Sequence, residues 1–122
     1  MTERDAMLQL LALGFFFCCA LHATPSIAGR PTMDECLEGS DFIRNAALSR
    51  DAGVAADAFV GRMRDDFFAI RAFPAELRWF VHDEADEVFL AEQARLVFEQ
   101  PSDPDNHRLR FLRVCVDRMA KD

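Results

Sequence analysis

His82-Asp83-Glu84-Ala85-Asp86-Glu87 is the densest run of titratable side chains in the sequence. On a helix, His82 and Asp86 are i,i+4 neighbours, so an imidazole and a carboxylate share one face. Asp83 and Glu87 repeat that relation one step round. Imidazole with carboxylate is a ligand combination for a divalent metal. The spacing matches no dedicated metal loop and supplies no third ligand. The same residues serve equally as a solvated acidic helix face or as a bend between two helices. A second cluster surrounds His107, with Ser102, Asp103 and Asp105 nearby. Hydrolytic chemistry needs a nucleophile, a base and an orienting acid in defined geometry, which proximity in sequence does not provide. Ser102 and Asp103 have a sufficient role as caps of the following helix.

Phe73-Pro74-Ala75-Glu76-Leu77-Arg78-Trp79-Phe80 carries a different potential, that of binding another protein. Leu77, Phe80 and Val81 share a helical face, and Trp79 lies about 200° from Leu77 around the axis. Trp79 beside Arg78 and Phe73 has the composition of a binding hot spot. Its structural alternative is burial of Trp79 under a neighbouring helix. Arg108, Arg110, Arg113 and Arg118 make the last segment basic, in positions that suit a helix C-terminus and i,i+4 pairing. The net charge of −7 disfavours nucleic acid and anionic lipid as partners. No glycine-rich phosphate loop, Cys-x-x-Cys or distinctive catalytic spacing occurs. The expectation is a non-enzymatic protein with no cofactor, acting through an unidentified protein partner.

The elements that position these residues read as helices throughout. There is no Tyr, and sustained period-2 alternation is lacking. Thr32-Met33-Asp34-Glu35 matches the Ser/Thr-x-x-Glu capping box and opens a first helix, with Gly53 as its left-handed terminator. Cys36, Ile43 and Ala47 face inward, and Gly39 and Ser40 allow a close neighbour. Ala55, Phe59, Met63, Phe67, Ile70 and Phe73 form an apolar stripe on a second helix, widened by Phe68. Pro74 is expected to open a third helical stretch to about Glu99, as one helix or as two with a bend near His82-Asp83-Glu84. Its stripe is Leu77, Phe80, Val81, Ala85, Val88, Phe89, Leu96 and Val97. Pro101 and Pro104 end it. Leu109, Leu112, Cys115, Val116 and Met119 form the inner face of the last helix. The fold class is all-α, a small bundle of four to five helices.

Met7 to Leu21 is almost wholly apolar and too short for the roughly 20 residues of a membrane span. It suits the core of a secretory signal, and Ser26-Ile27-Ala28 supplies the small-x-small cleavage site. The acidic Glu3 and Asp5 depart from the usual basic start. Residues 1–28 are therefore read as a signal peptide and 29–122 as one helical domain, periplasmic or extracellular, with no stable membrane association once cleaved. Cleavage removes Cys18 and Cys19 and leaves Cys36 and Cys115, an even count that reads as one disulfide. Closing a loop of that length contributes on the order of 4 kcal/mol.

This layout of leader, helices and two cysteines resembles that of small periplasmic immunity and inhibitor proteins, including those paired with type VI secretion effectors. The likeness is one of layout and carries no residue motif. It implies a helical module that recognises or inhibits another protein. The layout is also similar to that of acid-stress chaperones of the HdeA type; here the clustered carboxylates would lose charge as pH falls, loosening the bundle and exposing Phe-rich surface. Mass spectrometry of the protein from the cell envelope tests the export reading. The expected form begins at Gly29, with Cys36 and Cys115 alkylated only after reduction. Retention of residues 1–28, or alkylation without reduction, refutes it.

Overall fold

The computed structural model describes residues 30–121, which form four α-helices and no strand. The leader, the cleavage point after Ala28, and Cys18 and Cys19 lie outside these residues. The helices are α1 (Met33–Asp51), α2 (Ala56–Ile70), α3 (Glu84–Glu99) and α4 (Pro104–Ala120), with a 3-10 turn at Ala75–Leu77. Cross-helix pairs fix their directions. Cys36 meets Cys115, and Arg44 meets Asp105, so α1 and α4 are antiparallel. Arg71 at the end of α2 pairs with Glu87 at the start of α3, while Asp57 at the start of α2 pairs with Arg95 near the end of α3. Thus α2 and α3 are antiparallel as well.

Local chemistry sets the ends. The Thr32 hydroxyl accepts from the Glu35 N–H, and the Glu35 carboxylate accepts from the Thr32 N–H, each at 3.2 Å. This is the reciprocal capping box expected at the start of α1. Gly53, with φ of 94°, turns the chain out of α1 in the left-handed region where a side chain is strained. Asp103 caps α4 by accepting from the Asn106 N–H at 2.8 Å, with Pro104 in the first turn.

The core lies between α1, α3 and α4. Cys36, Ile43, Ala46, Ala47, Leu90, Ala94, Val97, Phe111 and Cys115 are all fully or almost fully buried. The Cys36–Cys115 disulfide is present, with the two Cα atoms 5.6 Å apart and the residues 79 positions apart in sequence. Gly39 allows the closest approach of the two helices: a methyl group placed there would sit 2.7 Å from the Phe111 ring. Seven rings form a continuous chain through the molecule, in the order Phe111, Phe89, Phe80, Trp79, Phe42, Phe59, Phe98. Successive centroids are 5.5–6.0 Å apart. Aromatic pairs at such spacing each add about 0.5–1.5 kcal/mol beyond their burial.

Several side chains differ from the sequence-based assignment. Residues 74–83 do not form the helix expected from Pro74; only the 3-10 turn is helical, and α3 starts at Glu84. Phe80 and Val81 are buried as expected, but from a non-helical connector, and Leu77 points outward. α2 ends at Ile70, so Phe73 falls on the connector and off the core; Phe68, though on α2, faces outward, and Val60 is buried instead. On α3 the inner stripe is Asp86, Leu90, Ala94 and Val97, and Ala85 and Val88 are exposed. On α4, His107 and Phe111 occupy the inner face with Cys115, whereas Leu109 is exposed. Leu112 and Met119 pack at the edge of the core.

Two glycines give opposite expectations. Gly39→Ala gains about 1 kcal/mol of helix propensity but forces the buried Phe111 ring aside, at a cost of about 1–3 kcal/mol. Urea unfolding should therefore show a net loss. Gly61 has nothing within 4 Å of a built methyl group. Gly61→Ala should raise stability by about 0.5–1 kcal/mol. A Gly39→Ala chain as stable as Gly61→Ala would refute the close-contact account.

Candidate functional site

The connector from Arg71 to Asp83 holds most of the residues with binding or chemical potential. Pro74 disfavours helical backbone at Phe73, and its own ψ of 145° leads away from α2. The carbonyls freed by the missing helix find a partner in Arg78. Its guanidinium donates to the Phe73 carbonyl at 2.9 Å, the Arg71 carbonyl at 3.0 Å and the His82 carbonyl at 3.2 Å. Arg78 is thus the hub of the connector, and its charge is turned toward backbone oxygens. Trp79 is half-buried, with its ring 5.7 Å from Phe42 and 5.9 Å from Phe80. It anchors the connector to α1. Phe73 is 55% exposed, as are Phe68 at 76% and Leu77 at 70%. All seven residues from Arg71 to Leu77 are exposed. Of the three hot-spot residues singled out in the sequence, Phe73 is therefore presented to solvent while Arg78 and Trp79 hold the segment that presents it. Phe68 and Leu77 escaped notice because helical periodicity assigned both to the core.

The acidic run resolves into helix-start chemistry. Asp83 is the N-cap of α3 and accepts from the Asp86 N–H at 2.9 Å. Asp86 reaches back to accept from the His82 N–H at 3.1 Å. His82 and Asp86 are neighbours as expected, but their side chains turn to different partners. The His82 Nε2 lies 2.6 Å from a Glu35 carboxylate oxygen on α1. The Asp86 carboxylate, almost fully buried, lies 3.3 Å from the Arg118 guanidinium on α4. Arg118 in turn sits 4.0 Å above the Phe89 ring. Among the described residues no group of three His, Cys, Asp or Glu side chains is arranged around a common point for a metal.

His107 is buried at the turn between α3 and α4. Its Nε2 is 3.0 Å from the Gln100 carbonyl and 3.2 Å from Arg50 Nη1. The Arg50 guanidinium donates to the carbonyls of Val97 at 2.8 Å and Ser102 at 2.7 Å, and to Asp51. Nη1 also faces the Gln100 carbonyl at 3.5 Å. Both Nη1 hydrogens thus serve backbone oxygens, and His107 Nε2–H donates to Gln100. His107 Nδ1 is buried with no partner. Asp103 is engaged in capping α4, with its second oxygen accepting from the Asn106 side chain. The Ser102, Asp103 and His107 cluster is therefore organised around the Arg50 clamp.

Burial pushes the His107 imidazole below its ordinary value of 6.5; the Gln100 carbonyl opposes this, and nearby Arg110 and Arg50 reinforce it. Burial pushes the Asp86 carboxyl above 3.8, against the His82 N–H and Arg118.

Compared with known proteins, the chain matches no family model, no curated protein and no solved structure. Among the described residues no helix is long and apolar enough to cross a membrane.

The two shifted groups respond to acid with opposite signs. Below about pH 6.5 the unfolded chain protonates His107 before the folded one does, so stability is lost as pH falls through the depressed folded value. Asp86 takes up its proton more readily when folded, so acidification through its window, above 3.8, favours the fold. Thermal melts of the parent chain should shift down between about pH 7 and about pH 5.5. His107→Gln, which keeps a donor for Gln100, should reduce that shift. Equal shifts in both chains would assign the acid response to other groups.

Proposed function

We propose that this is an exported, non-catalytic helical protein that binds another protein, and inhibits it where the bound surface is an active cleft. The docking element is the connector 71–77 with the end of α2. One observation carries the reading: Phe68, Phe73 and Leu77 are strongly exposed within ten residues, on a segment whose backbone Arg78 ties down at three carbonyls. A backbone already tied down loses little further entropy on binding, which favours affinity at the side chains it carries. Exposed apolar groups clustered in this way are a common mark of a protein-binding surface. Export is supported by the Cys36–Cys115 bond, which suits an oxidising compartment, and by the leader-like residues 1–28.

The acid-stress chaperone reading draws on a separate observation, the buried His107, whose imidazole is pushed below its ordinary value by burial, so that charging it in acid would work against the packed α3–α4 turn. Asp86 opposes it. The pH melts above, repeated with a hydrophobic dye, separate a rigid binder from a chaperone that opens in acid.

Affinity capture from the native cell envelope, with the partner identified by mass spectrometry, tests the binding reading. Phe73→Ala with Leu77→Ala should weaken that partner's binding by about 30-fold or more, the mark of hot-spot anchors. The melting temperature should be unchanged, because both side chains are exposed. Undiminished binding by the double variant removes the connector as the docking element. Trp79→Ala is a poorer test, because that ring also supports the fold.

A further inference from the structure

A second surface lies on the solvent side of α3. Val88 is 50% exposed, with Glu84 one turn before it and Glu92 one turn after. The three form an i±4 ridge of the kind that helices use to pack on one another. A groove of about 770 Å³ runs along one flank, between α3 and the C-terminal part of α4. Its apolar floor is Val88, Phe89 and Val114. A smaller groove of about 250 Å³ follows the other flank toward α2, with Arg64 at its edge.

The charge of the larger groove selects its occupant. Arg118 lines it but is already engaged by Asp86 and the Phe89 ring. Glu84, Glu92 and Asp117 also line it, and none makes a hydrogen bond or ion pair among the described residues. Against these three carboxylates stands the ammonium of Lys121 in the same groove, while Arg64 and Arg95 share the smaller groove with Glu84 and Glu92, and Glu84 also acts on the Arg71 guanidinium. The result is an open groove with an apolar floor, and Glu84 and Glu92 lie one turn to either side of Val88.

We infer that this α3–α4 groove docks an amphipathic helix of a partner protein, bearing Lys or Arg about one turn on each side of an apolar anchor. The anchor meets Val88, Phe89 and Val114, and the flanking bases meet Glu84 and Glu92. Helix-in-groove recognition supplies apolar contact, and the opposed charges set orientation and speed encounter. The apolar floor of this groove is separate from the 71–77 connector, and Glu84, at its edge, also acts on Arg71 there.

The test uses the purified chain and two labelled synthetic amphipathic helical peptides with one leucine pattern. One carries Lys at the flanking positions and the other Glu. Fluorescence anisotropy at about 0.15 M salt should show the Lys peptide binding at least about tenfold more tightly. Val88→Asp is the decisive variant, because it adds negative charge while deleting the apolar contact. Docking predicts about a tenfold loss or more, whereas non-specific attraction to an acidic protein predicts unchanged or tighter binding and overturns the inference. Glu84→Lys with Glu92→Lys should also lose the peptide. These positions are exposed, and melting curves confirm that each variant is folded. No binding of the Lys peptide overturns the inference. Loss of the peptide in Phe73→Ala/Leu77→Ala, with retention in Val88→Asp, also overturns it and leaves the connector as the docking element.

Discussion

The close approach of α1 to α4 is the constraint on which the rest of the molecule depends. Gly39 leaves the α1 backbone bare, and the Phe111 ring rests against it. That contact brings Cys36 and Cys115, one turn away on each helix, within bridging distance. Cα atoms more than about 7 Å apart cannot be joined without moving the backbone. Farther along the same seam, Asp41–Arg108 and Arg44–Asp105 are ion pairs at exposed positions. Such pairs add at most about 1 kcal/mol each. They align the helices, while the buried contact and the covalent bond hold them together.

Much of the architecture was legible because it rests on local chemistry. The capping box at Thr32, the terminator at Gly53 and the cap at Asp103 each follow from a few neighbouring residues, whereas the pairing of Cys36 with Cys115 follows from the cysteine count once Cys18 and Cys19 are set aside with the leader. The inward assignment of Gly39 held for a similar reason, since a glycine on an otherwise apolar face marks a close neighbour. What periodicity could not show was where helix gives way to connector. Phe80 and Val81 are buried with half-buried Trp79 beside them, a run of three consecutive residues that is wider than an amphipathic stripe but comes naturally to a non-helical connector. On α4 the error had another origin. His107 counts as polar in any hydropathy reading, yet it is buried, with its Nε2 at the Gln100 carbonyl. The inner face therefore rotated toward His107 and Phe111 and away from Leu109.

The candidate surfaces were only partly visible for the same reason. A search for hot spots by residue type selected Phe73, Arg78 and Trp79, and these do lie in one connector. Their division of labour depends on which backbone oxygens lack helical partners, a property of the folded chain. Arg50 and Arg78 play parallel parts here, each gathering carbonyls from a segment that leaves the helical ladder. Both satisfy polar groups that would otherwise be costly to leave unpaired. The acidic run at His82–Glu87 behaves likewise. Asp83 and Asp86 serve the first turn of α3, which leaves Glu84 as one of the carboxylates turned outward.

The bridge between Cys36 and Cys115 also has a mechanical meaning. It encloses almost all of the helical domain in one covalent ring, with only short tails outside. Tension applied at the two ends of the domain would pass across the sulfur atoms and load only the first residues of α1 and the last turn of α4. A tethered or translocating chain could therefore be drawn taut at both ends without its bundle being pulled apart, for as long as that bond stays oxidised.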